Sequence, residues 1–101
     1  MNETITAPWA TEEVKPARPK LHKVILLNDD YTPRAFVVRV LKAEFRMGEG
    51  TAQGVMLTAH RLGSCVVAVF TREVAEEKAT RATDVARKEG HPLTFTTEPE
   101  E

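Results

Sequence analysis

An amide and two carboxylates stand together at the end of an apolar run, and they are the residues of this chain best suited to chemistry. Asn28, Asp29 and Asp30 follow directly after the apolar residues 24–27. Adjacent carboxylates in an extended backbone point to opposite sides, so Asp29 and Asp30 are poorly placed to act as a paired acid and base. The same residue types also close turns by hydrogen-bonding nearby backbone groups. A purely structural turn therefore competes with a binding site as the explanation of this cluster.

The histidines and the single cysteine offer two further kinds of site. Cys65 and His60 could serve as nucleophile and base, but Cys65 lies within an all-apolar run, where a thiol is usually unreactive. His22, His60 and His91 are too widely spaced to match a local metal-ligand motif. We therefore expect no catalytic residue, no metal and no other cofactor in this chain.

Length and charge restrict the class of protein. The chain has 101 residues, 14 of them basic and 15 acidic, with the two signs interspersed. One domain with a tail fits this length, and the lack of a basic stripe argues against a nucleic acid partner. No apolar run approaches the roughly 20 residues that span a bilayer, and the N-terminus lacks a signal sequence. We expect a cytoplasmic monomer that does not bind a membrane.

The acidic cluster is positioned by a strand before it and helices after it. The apolar run before the cluster has the length and the residue types of a strand. Thr32 suits an N-cap and Pro33 the first helical position, and residues 36–45 then carry an apolar stripe at helical period. A second helix is predicted over 51–62, with Gly63 as its left-handed C-terminal residue. Glycines at the start of this helix suggest close packing there.

The remainder of the chain predicts two more strands and a third helix. Residues 65–70 are apolar at every position, and we expect them to form the central strand. Thr71 can cap a helix that has acidic first turns, an alanine-rich inner face and Arg87 and Lys88 in its last turn. Residues 93–97 alternate as a half-exposed strand. The order β-α-α-β-α-β predicts an α+β fold, a two-layer sandwich of a three-stranded antiparallel sheet packed against three helices.

Four stretches carry a resemblance to a known family. They are residues 24–33 (VILLNDDYTP), 56–60 (MLTAH), 69–78 (VFTREVAEEK) and 89–93 (EGHPL). On these motifs the chain resembles the ClpS family, small bacterial adaptors that recognise N-terminal degradation signals and hand their bearers to the ClpA component of the ClpAP protease.

The resemblance also bears on the domain organisation. It covers residues 21–98, which we expect to be the adaptor domain. Residues 1–20 contain three prolines and few large apolar residues, as in a flexible arm. In the family such an arm is engaged by the unfoldase during delivery. Residues 99–101 remain as a C-terminal tail.

The resemblance implies a function for the acidic cluster. It makes Asn28, Asp30 and His60 the direct contacts of the free α-amino group of a substrate, with Asp29 supporting them. A protonated α-amine offers three N–H donors, which suit an amide oxygen, a carboxylate and a neutral imidazole. It also implies a pocket for a first side chain of Leu, Phe, Tyr or Trp, lined by Thr32, Arg34, Val37, Met56, Ala59 and Leu93.

Two of these positions depart from the family's pattern. Arg34 stands where an apolar residue, usually methionine, helps to form the pocket wall, and Ala59 stands where a β-branched valine crowds the pocket. Our hypothesis is that Ala59 enlarges or loosens the pocket floor while Arg34 lays a cationic stem over its rim. Both changes would alter which bulky side chains bind well.

The resemblance further implies a surface for the N-terminal domain of ClpA. Glu73 and Lys78 match family residues at this interface, with His91 as a lesser candidate. From the sequence alone these residues are typical of a solvated face.

Two other classes of function remain open at this point. A small hydrolase could use Asp29 or Asp30 with His60. A partner-binding structural module of the same fold, with altered or lost peptide recognition, is the other alternative, because a small α+β sandwich serves unrelated roles.

Overall fold

The computed structural model describes residues 19–100, so most of the predicted arm lies outside the described residues. Three strands and three helices follow one another in the predicted order. They are β1 (Leu21–Leu27), α1 (Arg34–Phe45), α2 (Glu49–Leu62), β2 (Ser64–Thr71), α3 (Arg72–Lys88) and β3 (Thr94–Pro99). None of the helices within residues 19–100 has the length and apolar character needed to cross a membrane.

The strands form one antiparallel sheet in the order β2-β1-β3, and the predicted α+β sandwich is confirmed. The prediction that residues 65–70 form the central strand is wrong, because β1 occupies that position. Val24 and Leu26 of β1 are almost completely buried, whereas Val66 and Val69 of β2 are 46% and 38% exposed. An uninterrupted apolar run therefore does not require burial on both faces of a sheet. The residues of such a run can also lie on the solvent-exposed face of an edge strand.

The strand β3 extends further than the predicted strand over residues 93–97. It continues to Pro99, and the Glu100 N–H donates to the Leu21 carbonyl at 2.9 Å. The chain therefore pairs with the central strand through residue 100, two residues past the point at which the expected adaptor domain ends.

The helices bury two different kinds of surface against the sheet. The helix α1 contributes large aliphatic and aromatic side chains to the core, and Leu41 is completely buried among them. The helix α3 contributes only alanines to its fully buried positions, which allows its backbone to approach the sheet closely. These alanines are Ala75, Ala79, Ala82 and Ala86.

The start of α1 differs from the prediction by one residue. Thr32 is not the N-cap, because the Pro33 carbonyl accepts the first helical hydrogen bonds, from the N–H groups of Phe36 (3.0 Å) and Val37 (3.2 Å). Thr32 is instead buried in the preceding loop. Its side chain is therefore available to hold the loop and does not cap the helix.

The end of α2 follows the prediction, but its glycines are not closely packed. Gly63 has φ 92° and its N–H donates to the Ala59 carbonyl at 2.8 Å, as a left-handed C-terminal residue does. A Cβ added at Gly50 or Gly54 would meet no atom within 4 Å outside the helix's own nearby backbone. Close packing therefore does not account for either glycine.

These two environments give opposite expectations for the same substitution. Gly63→Ala should lower the free energy of unfolding by about 1 kcal/mol, because a side chain is strained at positive φ. Gly54→Ala, its control within α2, should raise it by about 0.4–1 kcal/mol, because alanine reduces the freedom of the unfolded chain. Urea denaturation of both variants measures the difference. A stabilised Gly63→Ala variant would contradict the assigned left-handed end.

Candidate functional site

One cavity of about 370 Å³ opens where β1 ends, between the following loop and the helices α1 and α2. It brings together all ten residues that the sequence analysis assigned to the amine site and to the side-chain pocket. The cavity therefore joins the acidic cluster of the loop to the apolar face of α2, although these segments are about thirty residues apart in the chain.

The cavity floor is apolar and buried. Its side chains are at most 9% exposed, and the single polar one is a threonine. The floor consists of Leu26, Thr32, Val37, Met56, Ala59 and Leu93. Such a floor can hold an apolar side chain, and burying one of Leu or Phe size contributes about 1.5–3 kcal/mol.

The cavity rim carries the polar groups. Asn28, Asp30 and His60 line the cavity and are exposed to solvent. The Asn28 N–H donates to the Gly63 carbonyl at 3.0 Å, so the start of the loop is tied to the residue that follows α2. This bond brings the loop close to the last turn of α2, in which His60 lies. The rim can therefore present an amide, a carboxylate and an imidazole to one ligand.

Asp29 closes the loop, which confirms the structural interpretation for this one residue of the cluster. Its Oδ1 accepts hydrogen bonds from the N–H groups of Tyr31 (2.8 Å) and Thr32 (2.7 Å), and its Oδ2 accepts one from the Thr32 hydroxyl (2.9 Å). Asp29 is half-buried and Asp30 is exposed, so the adjacent carboxylates have different environments. One of them holds the backbone in place while the other remains available at the rim.

The pKa of Asp29 lies below its ordinary value. Burial alone would raise it, but the hydrogen bonds from the Thr32 and Tyr31 N–H groups and from the Thr32 hydroxyl, together with the charge of His91, outweigh that effect. A lowered pKa in the folded state means that the carboxylate's contribution is fully present above the unfolded pKa of about 4. It is lost as the pH falls through the lowered, folded pKa.

We therefore expect the loop to stay ordered until the pH falls below about 4, the ordinary range for an aspartate. The amide shifts of Tyr31 and Thr32 in ¹H–¹⁵N spectra should change together with a midpoint below that pH. In an Asp29→Asn variant the two amides should show no such transition. A midpoint above the ordinary range would contradict the assigned hydrogen bonds.

Arg87 holds the pocket residue Leu93 in place, a role that the sequence analysis did not find. Its Nη1 donates to the carbonyls of His91 (3.0 Å) and Leu93 (2.6 Å), and its Nη2 donates to the Thr94 hydroxyl (2.9 Å). From the sequence, Arg87 was only a basic residue favourable to the end of a helix. Its planar fork also fixes the segment that carries Leu93 into the cavity floor.

Some rim residues of the cavity were not expected from the sequence. Leu27, Tyr31 and Pro33 line it, and Tyr31 is 83% exposed. Residue spacing alone does not distinguish a loop tyrosine that lies at a cavity from any other loop tyrosine.

The three residues assigned to a partner surface lie apart from one another. Glu73 is exposed in the first turn of α3, and Lys78 is half-buried, with its Nζ donating to the Glu44 carbonyl at 3.3 Å. His91 follows the other end of this 17-residue helix, which is about 25 Å long. Its ring packs on Phe36 with a centroid distance of 4.4 Å. A surface containing all three residues would run the length of α3.

Cys65, considered as a nucleophile, is not among the residues that line the cavity. Partial burial raises the pKa of the Cys65 thiol, which makes its thiolate less available. Within residues 19–100, His, Cys, Asp and Glu side chains form no group of three that could hold a metal ion.

The fold and the cavity define a small α+β binding domain, with an apolar floor beneath a rim of hydrogen-bond acceptors. The model of the family described as ATP-dependent Clp protease adaptor protein ClpS matches residues 17–96. The chain belongs to the ClpS family, and the resemblance given by its motifs is confirmed.

Individual relatives agree with this assignment. ATP-dependent Clp protease adapter protein ClpS 1 of Bradyrhizobium diazoefficiens is 67% identical over 101 residues, which is 100% of both chains. ClpS 2 of Agrobacterium fabrum is 64% identical over 91 residues, 88% of each chain. The solved structure of Agrobacterium tumefaciens ClpS2 bound to L-phenylalaninamide has a TM-score of 0.81 and 65% identity, covering 82% of this chain and 100% of that one.

Proposed function

We propose that this chain is an adaptor that binds the free α-amino group and the bulky hydrophobic first side chain of N-degron substrates and delivers them to the Clp protease. The observation that carries the proposal is the cavity in which buried apolar side chains and exposed acceptors meet. The relative from Agrobacterium tumefaciens is bound to L-phenylalaninamide, a ligand with a free α-amine and an aromatic side chain.

In this proposal Asn28, Asp30 and His60 accept the three N–H donors of the ammonium group. Asp29 holds the loop through its bonds to Tyr31 and Thr32 and does not contact the ligand. Each charge-assisted hydrogen bond contributes about 1.5–3 kcal/mol, and the floor adds a similar amount for the side chain. At the upper end of these ranges, the contributions allow micromolar binding of a short peptide after the costs of association.

Fluorescence anisotropy with labelled ten-residue peptides tests the proposal. The peptides begin with Leu, Phe, Tyr, Trp, Ile or Ala and are otherwise identical, and each is also prepared with its α-amine acetylated. We expect some of the bulky members to bind and their acetylated forms to lose binding. Binding that survives acetylation, or no binding across the series, would contradict an amine site.

Arg34 and Ala59 are proposed to adjust which bulky side chains bind. Ala59 lies in the floor and is 2% exposed, so the missing methyl groups of a valine leave space beside a bound side chain. Arg34 is exposed on the rim, where its stem can cover the cavity mouth. An Arg34→Met, Ala59→Val double variant is therefore expected to change the order of affinities in the peptide series. Equal affinity for the Leu, Phe, Tyr and Trp peptides in both proteins would refute this hypothesis.

Delivery requires contact with the protease, for which we propose the N-terminal domain of ClpA as the partner. Glu73 and Lys78 on α3 are proposed contacts, with His91 at its far end as a lesser one. We propose that the adaptor acts as a monomer in the bacterial cytoplasm and has no catalytic activity.

Deleting residues 1–16 is expected to leave peptide affinity unchanged while stopping ClpAP from degrading a bound substrate. Loss of peptide affinity in the same variant would show that the two roles are not separate.

A further inference from the structure

The direction in which a bound peptide leaves the cavity follows from the distribution of groups along the rim. If the α-amine is held by Asn28, Asp30 and His60 and the first side chain fills the floor, these groups are not available to the rest of the peptide. The other exposed lining residues are Leu27, Tyr31, Pro33 and Arg34. All but Leu27 belong to the loop and the first residue of α1, so this side of the rim presents exposed side chains that the rest of a peptide can contact.

Tyr31 has the properties of a contact residue on this side. It lines the cavity, yet 83% of its surface is exposed. Its backbone is held by the hydrogen bond from its N–H to Asp29 Oδ1 at 2.8 Å, and its neighbour Thr32 is fixed by two further bonds to the same carboxylate. A tyrosine on a fixed backbone loses little conformational freedom on binding, because only two side-chain torsions remain to be ordered.

We propose that Tyr31 forms a second subsite of the binding groove, in which its ring packs against an apolar side chain at the second position of the substrate peptide. The inference rests on the proposed function, because it takes the position of the first residue from it. The floor then recognises the first side chain, and Tyr31 gives the adaptor a preference at the next one. The phenol hydroxyl is not needed for this contact, since the ring supplies the apolar surface.

Isothermal titration calorimetry with three ligands tests the proposal. L-phenylalaninamide probes the amine site and the floor, and the dipeptide amides Phe-Ala and Phe-Leu add a small or a large second side chain. The unmodified protein is expected to bind Phe-Leu about three- to tenfold more tightly than Phe-Ala, the effect of burying about half of a leucine side chain. Tyr31→Ala should abolish this difference, and Tyr31→Phe should retain it.

The affinity for L-phenylalaninamide separates this contact from a structural role of Tyr31. Both variants should change it by less than Tyr31→Ala changes the affinity for Phe-Leu, because that ligand has no second side chain. If Tyr31→Ala weakens the binding of L-phenylalaninamide as much as the binding of Phe-Leu, Tyr31 supports the loop and the subsite is refuted. A preference for Phe-Leu that survives Tyr31→Ala would refute it as well. Failure of the unmodified protein to bind any of the three ligands would overturn the proposed function, and with it the subsite.

Discussion

Replacing Asp30 with alanine is expected to weaken the binding of a free-amine peptide by about 10- to 150-fold, the value of one charge-assisted hydrogen bond. Asp30 is exposed on the cavity rim beside Asn28, whereas Asp29 is engaged in the loop. Removing Asp30 therefore takes away the rim carboxylate and leaves the turn intact. Anisotropy with a Leu- or Phe-initiated peptide measures the loss.

Asp84→Ala provides the matched control for this variant. Asp84 is an exposed aspartate on α3 that does not line the cavity, so its loss changes the net charge equally and should leave affinity unchanged. An equal loss of affinity in both variants would indicate a long-range effect of charge.

The Asp30 variant also separates the classes of function left open by the sequence. Loss of turnover of a peptide or ester would favour a hydrolase, and no effect on binding or turnover would favour a structural module.

The substitution Leu41→Ala is expected to have the largest effect on stability, lowering the free energy of unfolding by about 2–5 kcal/mol. Leu41 lies in α1 and is completely buried in the core between the helices and the sheet. Its truncation removes apolar burial and leaves a cavity that the neighbouring side chains only partly fill. Because small domains are stable by about 5–15 kcal/mol, this loss is a large share of the total. Urea or thermal denaturation measures it.

Leu62→Ala is the corresponding control, since Leu62 is the last residue of α2 and is 76% exposed. The same truncation at this position should change the free energy of unfolding by about 0.5 kcal/mol or less. Similar losses in the two variants would contradict the assigned core. A cooperative unfolding transition in each variant is needed for the comparison.

Local signals predicted the elements of this fold well. The apolar stripe of α1, the alanine face of α3 and the left-handed Gly63 each depend on residues a few positions apart, which a sequence displays directly. The position of β2 in the sheet could not be obtained in this way. An apolar run is compatible with a central strand or with an edge strand that has one open face, and only pairing between distant segments distinguishes the two.

The candidate site was predictable to a smaller extent. Spacing identified Asn28, Asp29 and Asp30 as a cluster, but the association of His60 with them came from the family resemblance. In the structure the bond between the Asn28 N–H and the Gly63 carbonyl and the pairing of Leu27 with Ser64 both contribute to that association. Tyr31 and Arg87 were not assigned to the site from the sequence, because the exposure of Tyr31 and the carbonyls that Arg87 contacts are evident only in the folded chain.

The irregular pairing of β2 has a consequence for the colloidal behaviour of this protein. Val24 pairs with Ala68 but Ile25 pairs with Val66, so Val67 is left over as a bulge in an edge strand with no charged residue. A flat, uncharged edge is a template on which further strands add, and a bulge interrupts the regular spacing that such addition requires. The bulge therefore opposes edge-to-edge association of β2 with strands of other chains.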